Sequence, residues 1–420
     1  MRIELPYGRS RIVWDAPDSV RVLSSNIGNL KGSGTGEAIV RRAMRSPIGS
    51  PRLSELAKGK RTCAVIISDH TRPVPSRDIL PPILEELRAG NPAIDITLLV
   101  ATGCHRATTR AELTDKLGEE LAASLRIVVH DCRKNNVRIG ELPSGAPLSI
   151  DAVAAETELL IAEGFIEPHF FAGFSGGRKS VLPGICEATT VLGNHCSRFI
   201  DSPFARTGTL DGNPIQTDMT AAARLARLAY IVNVVIDEEK RTVAAFAGDF
   251  DAAHRAGCEF LRPFCMVAPH AAELVITTNG GAPLDQNLYQ CVKSMTAAEA
   301  AAKEGGVIIL CAECADGIGG ESFYAALSGC QSAEALYDGI LETPQEKTAP
   351  DQWQSQILAR VLKRHPVILV TRKELERTVR NMKMQYAPSL PEAVEIGRAM
   401  TRNDAEITVI PNGVSVIVSP

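Results

Sequence analysis

The sequence has no long apolar run and no strong excess of charge of either sign. Its 420 residues include 45 Lys and Arg against 49 Asp and Glu, a formal net charge of −4. Without a basic excess, binding to nucleic acid through phosphate neutralisation is not expected. No stretch approaches the roughly 18–20 uninterrupted apolar residues of a membrane-spanning helix. The opening residues also lack the apolar core of a signal peptide, so we expect a cytoplasmic protein without membrane or nucleic-acid partners.

Disulfide and metal motifs are also sparse. The eleven cysteines are an odd number scattered over the chain, so we expect small buried apolar side chains in a reducing compartment rather than a disulfide framework. The CxxC at Cys311–Cys314 has no second CxxC beside it, which favours structural cysteines over a zinc site. No HExxH or similar cluster is present, and zinc hydrolase chemistry is therefore a weak alternative.

What is present is an alternation of short, β-branched apolar runs with helical patterns. The chain is longer than one core usually organises, and runs that are apolar on both faces are typical of parallel sheets covered by helices. We predict an α/β protein of two α/β modules with mostly parallel sheets, and an active site between them. The predicted strands are 63–69, 95–102, 126–131, 159–165, 230–237, 243–249, 274–280, 306–312 and 366–371.

The predicted domain organisation follows from these runs. We expect an N-terminal cofactor-binding and catalytic domain over 1–270, a C-terminal domain over 271–400, and a tail over 401–420 that can return to the first domain. The tail reads as a hairpin around Pro411-Asn412-Gly413, because Asn-Gly is a frequent hairpin turn.

Histidines gather where the predicted strands of the first half end. In open α/β sheets, ligands bind outside the carboxyl ends of the strands. One such histidine is more often structural than functional, but several at one sheet edge indicate a site. Of eight histidines in the chain, five lie on or just beyond a strand end, counting the last of them after a helix: His70, His105, His130, His169 and His195.

The segment 164–195, GFIEPHFFAGFSGGRKSVLPGICEATTVLGNH, combines glycines with a basic pair. Gly176 and Gly177 permit a backbone path that presents N–H groups to an anion. The segment fails the P-loop pattern because Arg178, not glycine, precedes Lys179. Lys179 can be a charge clamp, a surface residue or a nucleophile. His195 is a plausible metal ligand, since imidazole suits nickel, copper and zinc.

A third group of polar residues lies in the second half, in PLDQNLYQCVKSM at 283–295. On a helix, Tyr289 and Lys293 share a face at i, i+4, as do Gln290 and Lys293 at i, i+3. Such a face can bind a carboxylate, although an exposed, solvated face is the ordinary interpretation.

Taken together, SDHTRPVPS, ATGCHR, the 164–195 segment and GGAPLDQNLYQCVK resemble the nickel-dependent lactate racemase family of α-hydroxyacid racemases and epimerases. The likeness runs in order from about residue 65 to 295 and extends over the whole chain. Each motif alone is weak, but the combination is specific. The resemblance implies an isomerase that inverts C2 of a 2-hydroxy acid.

The family carries a nickel-pincer nucleotide, the mononucleotide of pyridinium-3-thioamide-5-thiocarboxylic acid, which separate biosynthetic enzymes make. The resemblance implies that Lys179 attaches it as a thioamide and that His195 binds the nickel. His105 and His169 match the pair of catalytic histidines. The carboxylate-binding set and the remaining positions near the cofactor are matched by Arg72, Tyr289, Gln290 and Lys293, and by Asp69, Gly176, Gly177 and Arg178.

The implied chemistry explains these residue types. Hydride removal from a secondary alcohol gives a flat keto acid, which can be reduced again on either face. The hydroxyl proton must leave and return on two sides, and two histidines suit that task near neutral pH. A lactate-like substrate is favoured, while a malate-like, aromatic or sugar 2-hydroxy acid stays open, with Arg77, Arg106 or Arg178 able to serve a second carboxylate.

Two further classes of function stay open from the sequence. A phosphate- or nucleotide-binding transferase would use the GFSGGRKS loop, but it leaves the histidines unexplained. A non-catalytic carrier of the nickel cofactor would need Lys179 and His195, but not both His105 and His169. The residues carry no sign of a particular oligomeric state.

Overall fold

The computed structural model describes residues 1–419, and its main feature is a pair of six-stranded sheets with helices on their faces. The strands within these residues are β1 Arg2–Tyr7, β2 Ser10–Asp15, β3 Arg21–Val22, β4 Thr62–Ser68, β5 Asp95–Ala101, β6 Arg126–Val129, β7 Asn136–Glu141, β8 Pro147–Asp151, β9 Leu159–Phe165, β10 Pro168–His169, β11 Gly173–Phe174, β12 Leu228–Ile236, β13 Thr242–Gly248, β14 Met266–Val267, β15 Ala272–Thr278, β16 Ala302–Cys311, β17 Val367–Val370, β18 Gln385–Ala387, β19 Ile407–Ile410 and β20 Ile417–Val418.

The α-helices connect these strands and cover the sheets. They are α1 Gly36–Arg45, α2 Leu53–Leu56, α3 Ser76–Gly90, α4 Arg110–Leu117, α5 Glu119–Ser124, α6 Ala152–Glu156, α7 Ala188–Asn194, α8 Ser197–Asp201, α9 Pro214–Leu225, α10 Ala252–Cys265, α11 Leu288–Ala301, α12 Glu321–Gly329, α13 Ala333–Leu341, α14 Gln352–Arg364, α15 Glu376–Asn381 and α16 Leu390–Met400. Short 3-10 turns occur at Ile27–Asn29, Gly177–Ser180, Gln345–Lys347 and Lys373–Leu375. Within the described residues, none of these helices combines the length and the apolar character that crossing a membrane requires.

The first sheet has the strand order β13-β12-β9-β4-β5-β6. All neighbours pair in parallel except the edge strand β13, which is antiparallel to β12. The central strands β4 and β9 are buried almost throughout, because helices cover both faces of a parallel sheet. Since β9, β4 and β5 are neighbours, the segments that follow their carboxyl ends meet at one edge.

The second sheet has the order β18-β17-β16-β15-β19-β3, and every pair in it is parallel. The prediction of an α/β fold with mostly parallel sheets is therefore confirmed. The predicted domain boundaries stay a prediction, and the start of the chain departs from them. The short strand β3 extends the second sheet, and Ile3, Leu5 and Trp14 belong to the apolar cluster of that sheet, although 1–270 was expected to form one N-terminal domain.

The predicted hairpin around Pro411-Asn412-Gly413 is wrong. Strand β19 lies between β15 and β3, so both of its edges are already paired. The chain instead leaves the second sheet, and β20 pairs in parallel with β14. Ile417 of β20 joins an apolar cluster with Ile166 and Phe174, so residues 411–418 cross from the second sheet to elements of the first half.

Candidate functional site

The loops after β4 and β5 bring an acid, a cation and a histidine together. Asp69 Oδ2 lies 2.7 Å from His105 Nδ1, and Asp69 Oδ1 accepts from the Thr71 N–H at 3.1 Å and its hydroxyl at 2.6 Å. Arg72 Nη1 donates to the Thr71 hydroxyl at 3.0 Å. The loop after β5 is held by the His105 N–H, which donates to the carbonyl of Thr102 at 2.9 Å.

The carboxylate of Asp69 fixes the ring of His105. Only 3% of the Asp69 side chain is exposed, against 43% for His105. Burial acts to raise the pKa of Asp69, but the hydrogen bond and charge of His105, together with Arg72 and Thr71, outweigh it and lower the pKa to about 2. An ionised Asp69 makes Nδ1 of His105 a donor and leaves Nε2 free to exchange a proton.

The segment after β9 contributes the second histidine, His169. The Ala172 N–H donates to His169 Nδ1 at 3.3 Å, which directs the ring proton to Nε2. Burial, and then the charges of Lys179 and Lys293, hold the pKa of His169 well below its usual value. His169 is therefore a neutral imidazole among cations.

The glycine loop, Gly176 and Gly177, packs closely against buried side chains and precedes Lys179. Gly176 and Gly177 have φ of +79° and +55°, which other residues rarely adopt. The Gly177 N–H donates to Asn233 Oδ1 at 2.7 Å, and a Cβ on Gly177 would lie 2.7 Å from the ring of His254. The loop therefore lies directly on two buried side chains, and the N–H of Gly177 already has a partner.

Arg178 and Lys179, neighbours in sequence, lie in different surroundings. Arg178 is buried, with Nη1 2.8 Å from His254 Nε2 and Nη2 donating to the carbonyls of Ala172 and Phe174. Lys179 Nζ lies 5.8 Å from the centre of the Phe171 ring. Burial, followed by the charges of Arg178 and Arg72, holds the pKa of Lys179 well below its usual value. Such a lysine is a nucleophilic amine.

His195 follows α7 and is held by that helix. Its Nδ1 lies 3.0 Å from the carbonyl oxygen of Val191, an acceptor only, so Nδ1 carries the proton and Nε2 keeps its lone pair. Burial, and then the charge of Lys179, lower the pKa of His195 to about 3. The ring lies between Phe171 and Trp353, with centroid distances of 5.2 and 5.0 Å.

Helix α11 presents the polar face that the sequence predicts. It begins where Asn287 Oδ1 accepts from the Gln290 N–H at 3.0 Å. Tyr289 makes an edge contact with Phe323, with ring centroids 5.5 Å apart, and Gln290 beside it is half-buried. Burial and Arg72 lower the pKa of Lys293, against the charge of Glu167, to about 8.

Several of these side chains lie close to one another, and both halves of the chain supply them. Lys179, Lys293, Arg72 and His195 are the charged and ring neighbours that act on His169. A small cavity is lined by His169, Lys293 and Glu167, among others, and a wider cleft adjoins it at Glu167, Pro168 and Val414. The structure thus joins the three groups of residues that the sequence analysis found separately.

Not every predicted residue reaches the cleft. His130 is buried, with Nδ1 2.9 Å from Asp151 Oδ2 and Nε2 3.1 Å from the carbonyl oxygen of Cys186. His70 Nδ1 lies 3.1 Å from Thr108 Oγ1. These two histidines have structural partners. Of the other three, His169 and His195 are close enough for their charges to interact, and His105 is paired with Asp69.

The cysteines fulfil the expectation of buried, unpaired side chains. All eleven are free, and nine are buried, with Cys104 exposed and Cys330 partly exposed. Cys311 and Cys314 are both buried. Within residues 1–419, no group of three or more His, Cys, Asp or Glu side chains gathers to hold a metal ion.

Three residues around the cleft have no role in the sequence analysis. Glu167 is a half-buried carboxylate facing Lys293, Arg72, Lys240 and Lys179, and burial raises its pKa against these charges. Phe171 and Trp353 flank His195. Glu167 stands two residues before His169, so its position in the sequence could have indicated it. Trp353 lies in α14, far along the chain, and no local sequence pattern indicates it.

Comparison with known proteins assigns the chain to a family. A lactate racemase N-terminal domain matches residues 7–208, and a lactate racemase C-terminal domain matches residues 267–418. The chain belongs to the lactate racemase family. The family predicted from the motifs is confirmed, and with it the expectation that this protein is an isomerase.

Relatives within the family are similar over their full length. The lactate racemase of Thermoanaerobacterium thermosaccharolyticum is 51% identical and that of Lactiplantibacillus plantarum 48% identical, each over 99% of both chains. The structure of the lactate racemase apoprotein from Thermoanaerobacterium thermosaccharolyticum matches with a TM-score of 0.97 at 50% identity, covering 100% of both chains. A Thermotoga maritima protein at 18% identity, with a TM-score of 0.64, shares the fold.

Proposed function

We propose that this protein racemises lactate, by removing the C2 hydrogen as hydride and returning it to either face of the resulting keto acid. The observation that supports the proposal is that Arg72 lies beside both histidines: next to the Asp69–His105 pair, and with Lys179 and Lys293 among the charges that act on His169. Curated relatives at 48–51% identity bear the name lactate racemase.

The residues present fit the nickel-pincer nucleotide of this family. Lys179 is a half-buried amine with a lowered pKa, which favours covalent attachment. His195 keeps Nε2 free because its Nδ1 is bonded to Val191, which is how metal-binding histidines are usually oriented. When bound to Lys179, with nickel on His195, the nucleotide supplies the hydride acceptor.

The chain's own residues handle the carboxylate and the proton. Lys293 is half-buried and, with a pKa of about 8, still charged at neutral pH. With Arg72 it holds the carboxylate and keeps C2 in place while its configuration changes. Asp69 orients His105, and Nε2 of His105 accepts the hydroxyl proton of one enantiomer. His169, whose Nδ1 accepts from the Ala172 N–H and whose Nε2 carries the ring proton, donates that proton to the substrate oxygen on the other side.

The arginines around the cleft favour a substrate with one carboxylate. Arg77 donates to the Asp115 carbonyl, and Arg106 forms an ion pair with Glu112. Arg178 is bonded to His254 and two carbonyls. All three arginines are therefore engaged, and none of them is free to bind the second carboxylate of a malate-like substrate. Aromatic and sugar acids stay as alternatives for the substrate screen, and a cytoplasmic location with dependence on cofactor-making enzymes stays a prediction.

The test is production of the protein together with the cofactor-making enzymes of the family. We expect an intact-mass increase that maps to Lys179, about one nickel per chain, and decay of enantiopure lactate to the racemate in a chiral assay. Lys179→Arg, which keeps the charge but not the attachment, is the matched control and should lose both the mass increase and the activity. An unmodified Lys179 under conditions that load a known relative would contradict the proposal.

A further inference from the structure

The small cavity beside the second histidine is lined by both polar and apolar side chains. The polar ones include His169, Lys293 and Glu167. Phe170, Thr207 and Val414 are also part of the lining. Val414 comes from the C-terminal segment, more than a hundred residues after Lys293 in the sequence.

The backbone contacts of the C-terminal segment hold Val414 in place at this cavity. The Gly413 N–H donates to the Thr278 carbonyl at 3.0 Å, and a Cβ on Gly413 would lie 2.6 Å from Ser294 Cβ. The Val414 N–H donates to Asn412 Oδ1 at 3.2 Å. The segment therefore packs against α11 one residue after Lys293, and Val414 has little freedom to withdraw from the cavity.

The stereochemistry at C2 determines which group of the substrate lies near Val414. C2 of lactate carries a hydrogen, a carboxylate, a hydroxyl and a methyl group. If the carboxylate is held and the hydrogen faces one acceptor for both enantiomers, the hydroxyl and the methyl group must exchange places between them. The enantiomer whose hydroxyl lies at His105 then directs its side chain toward His169 and the cavity beside it.

We propose that Val414, with Phe170 and Thr207, forms the side-chain subsite for one of the two enantiomers, and that the C-terminal segment thereby limits the substrate to short aliphatic 2-hydroxy acids. This inference rests on the proposed function. A racemase must accept the side chain on both sides, so the tighter side sets the limit for the reaction in both directions.

The test compares lactate with 2-hydroxybutyrate, which is one methylene longer, on the cofactor-loaded protein. Val414→Ala should raise kcat/KM for 2-hydroxybutyrate relative to lactate by about tenfold, and Val414→Leu should lower the same ratio by about tenfold, as one methylene in an apolar pocket commonly does. Because the equilibrium constant of a racemisation is one, kcat/KM stays equal in both directions in every variant. In Val414→Ala, the KM for 2-hydroxybutyrate should fall more for one enantiomer than for the other.

Val418→Ala is the matched control, since it removes the same two methyl groups from β20, outside the lining of this cavity. It should leave the substrate ratio within about twofold of the parent. An unchanged ratio in both Val414 variants, or an equal change in Val418→Ala, would overturn the subsite while leaving the racemase intact. A loaded parent protein that racemises neither acid would instead overturn the proposed function, and the subsite with it.

Discussion

The pairing of Asp69 with His105 makes a sharp prediction for Asp69→Asn. In the parent, Asp69 Oδ2 accepts from His105 Nδ1 at 2.7 Å, while Oδ1 takes both donors of Thr71. An asparagine keeps its single oxygen for the two Thr71 donors, so its NH₂ group must face Nδ1. His105 then has to place its proton on Nε2, the nitrogen that should receive the hydroxyl proton.

The size of the effect follows from the contribution of a positioned base. Such a group typically contributes about 10²–10⁴-fold, and we expect kcat for lactate racemisation to fall within that range while KM changes little. The lowering of the Asp69 pKa from 3.8 to about 2 also corresponds to about 2 kcal/mol of stabilising interaction. The assay is steady-state racemisation by chiral chromatography on cofactor-loaded protein, normalised to nickel content.

Asp151→Asn provides the matched control. It breaks a second carboxylate–histidine pair, the buried contact of Asp151 Oδ2 with His130 Nδ1 at 2.9 Å, away from the cleft. This variant should lower the melting temperature but keep kcat per loaded chain. If Asp69→Asn kept kcat within about fivefold of the parent, or if Asp151→Asn lost as much, the assignment of Asp69 as a positioning residue would fail.

Three further predictions concern the charges of the cleft. In the cofactor-free protein, Lys179→Met should raise the pKa of His169, measured by NMR titration, because burial remains but the largest of the charges that lower this pKa is gone; an unchanged pKa would mean that the charge of Lys179 does not act on His169. Glu167→Gln should lower the pKa of Lys293 below about 8, so that KM for lactate rises at a lower pH than in the parent; coinciding KM profiles would refute the coupling. The stabilisation from Asp69 is present above its unfolded pKa and should be lost as pH falls from about 4 to about 2, so acid unfolding curves of the parent and Asp69→Asn should converge there and diverge at pH 7.

The sheets could be predicted from sequence because their strands are short apolar runs with a local signal. All nine predicted strands overlap observed ones, from β4 to β17. The tail could not be predicted in this way. Its Asn-Gly pair favours a hairpin locally, but both edges of β19 are occupied by strands from distant parts of the chain.

The same distinction applies to the site. His105 and His130 follow neighbouring strands, yet His105 is exposed beside Asp69, whereas His130 is closed off by Asp151 and the Cys186 carbonyl. Only the tertiary partners separate them. Trp353 and Val414 reach the cleft from distant parts of the chain, and no spacing in the sequence connects them to it. Glu167 was the exception, since it stands beside His169 at the same strand end.

The central claim is that the cleft racemises lactate by moving the C2 hydrogen as hydride. The most direct test is incubation of the cofactor-loaded protein with enantiopure lactate in D₂O, followed by chiral analysis and mass spectrometry of the product. The account predicts decay to the racemate with protium retained at C2, because a hydride does not exchange with solvent. Deuterium at C2 of the inverted product would show proton abstraction instead, and lactate that stays enantiopure would contradict the assignment of the activity itself.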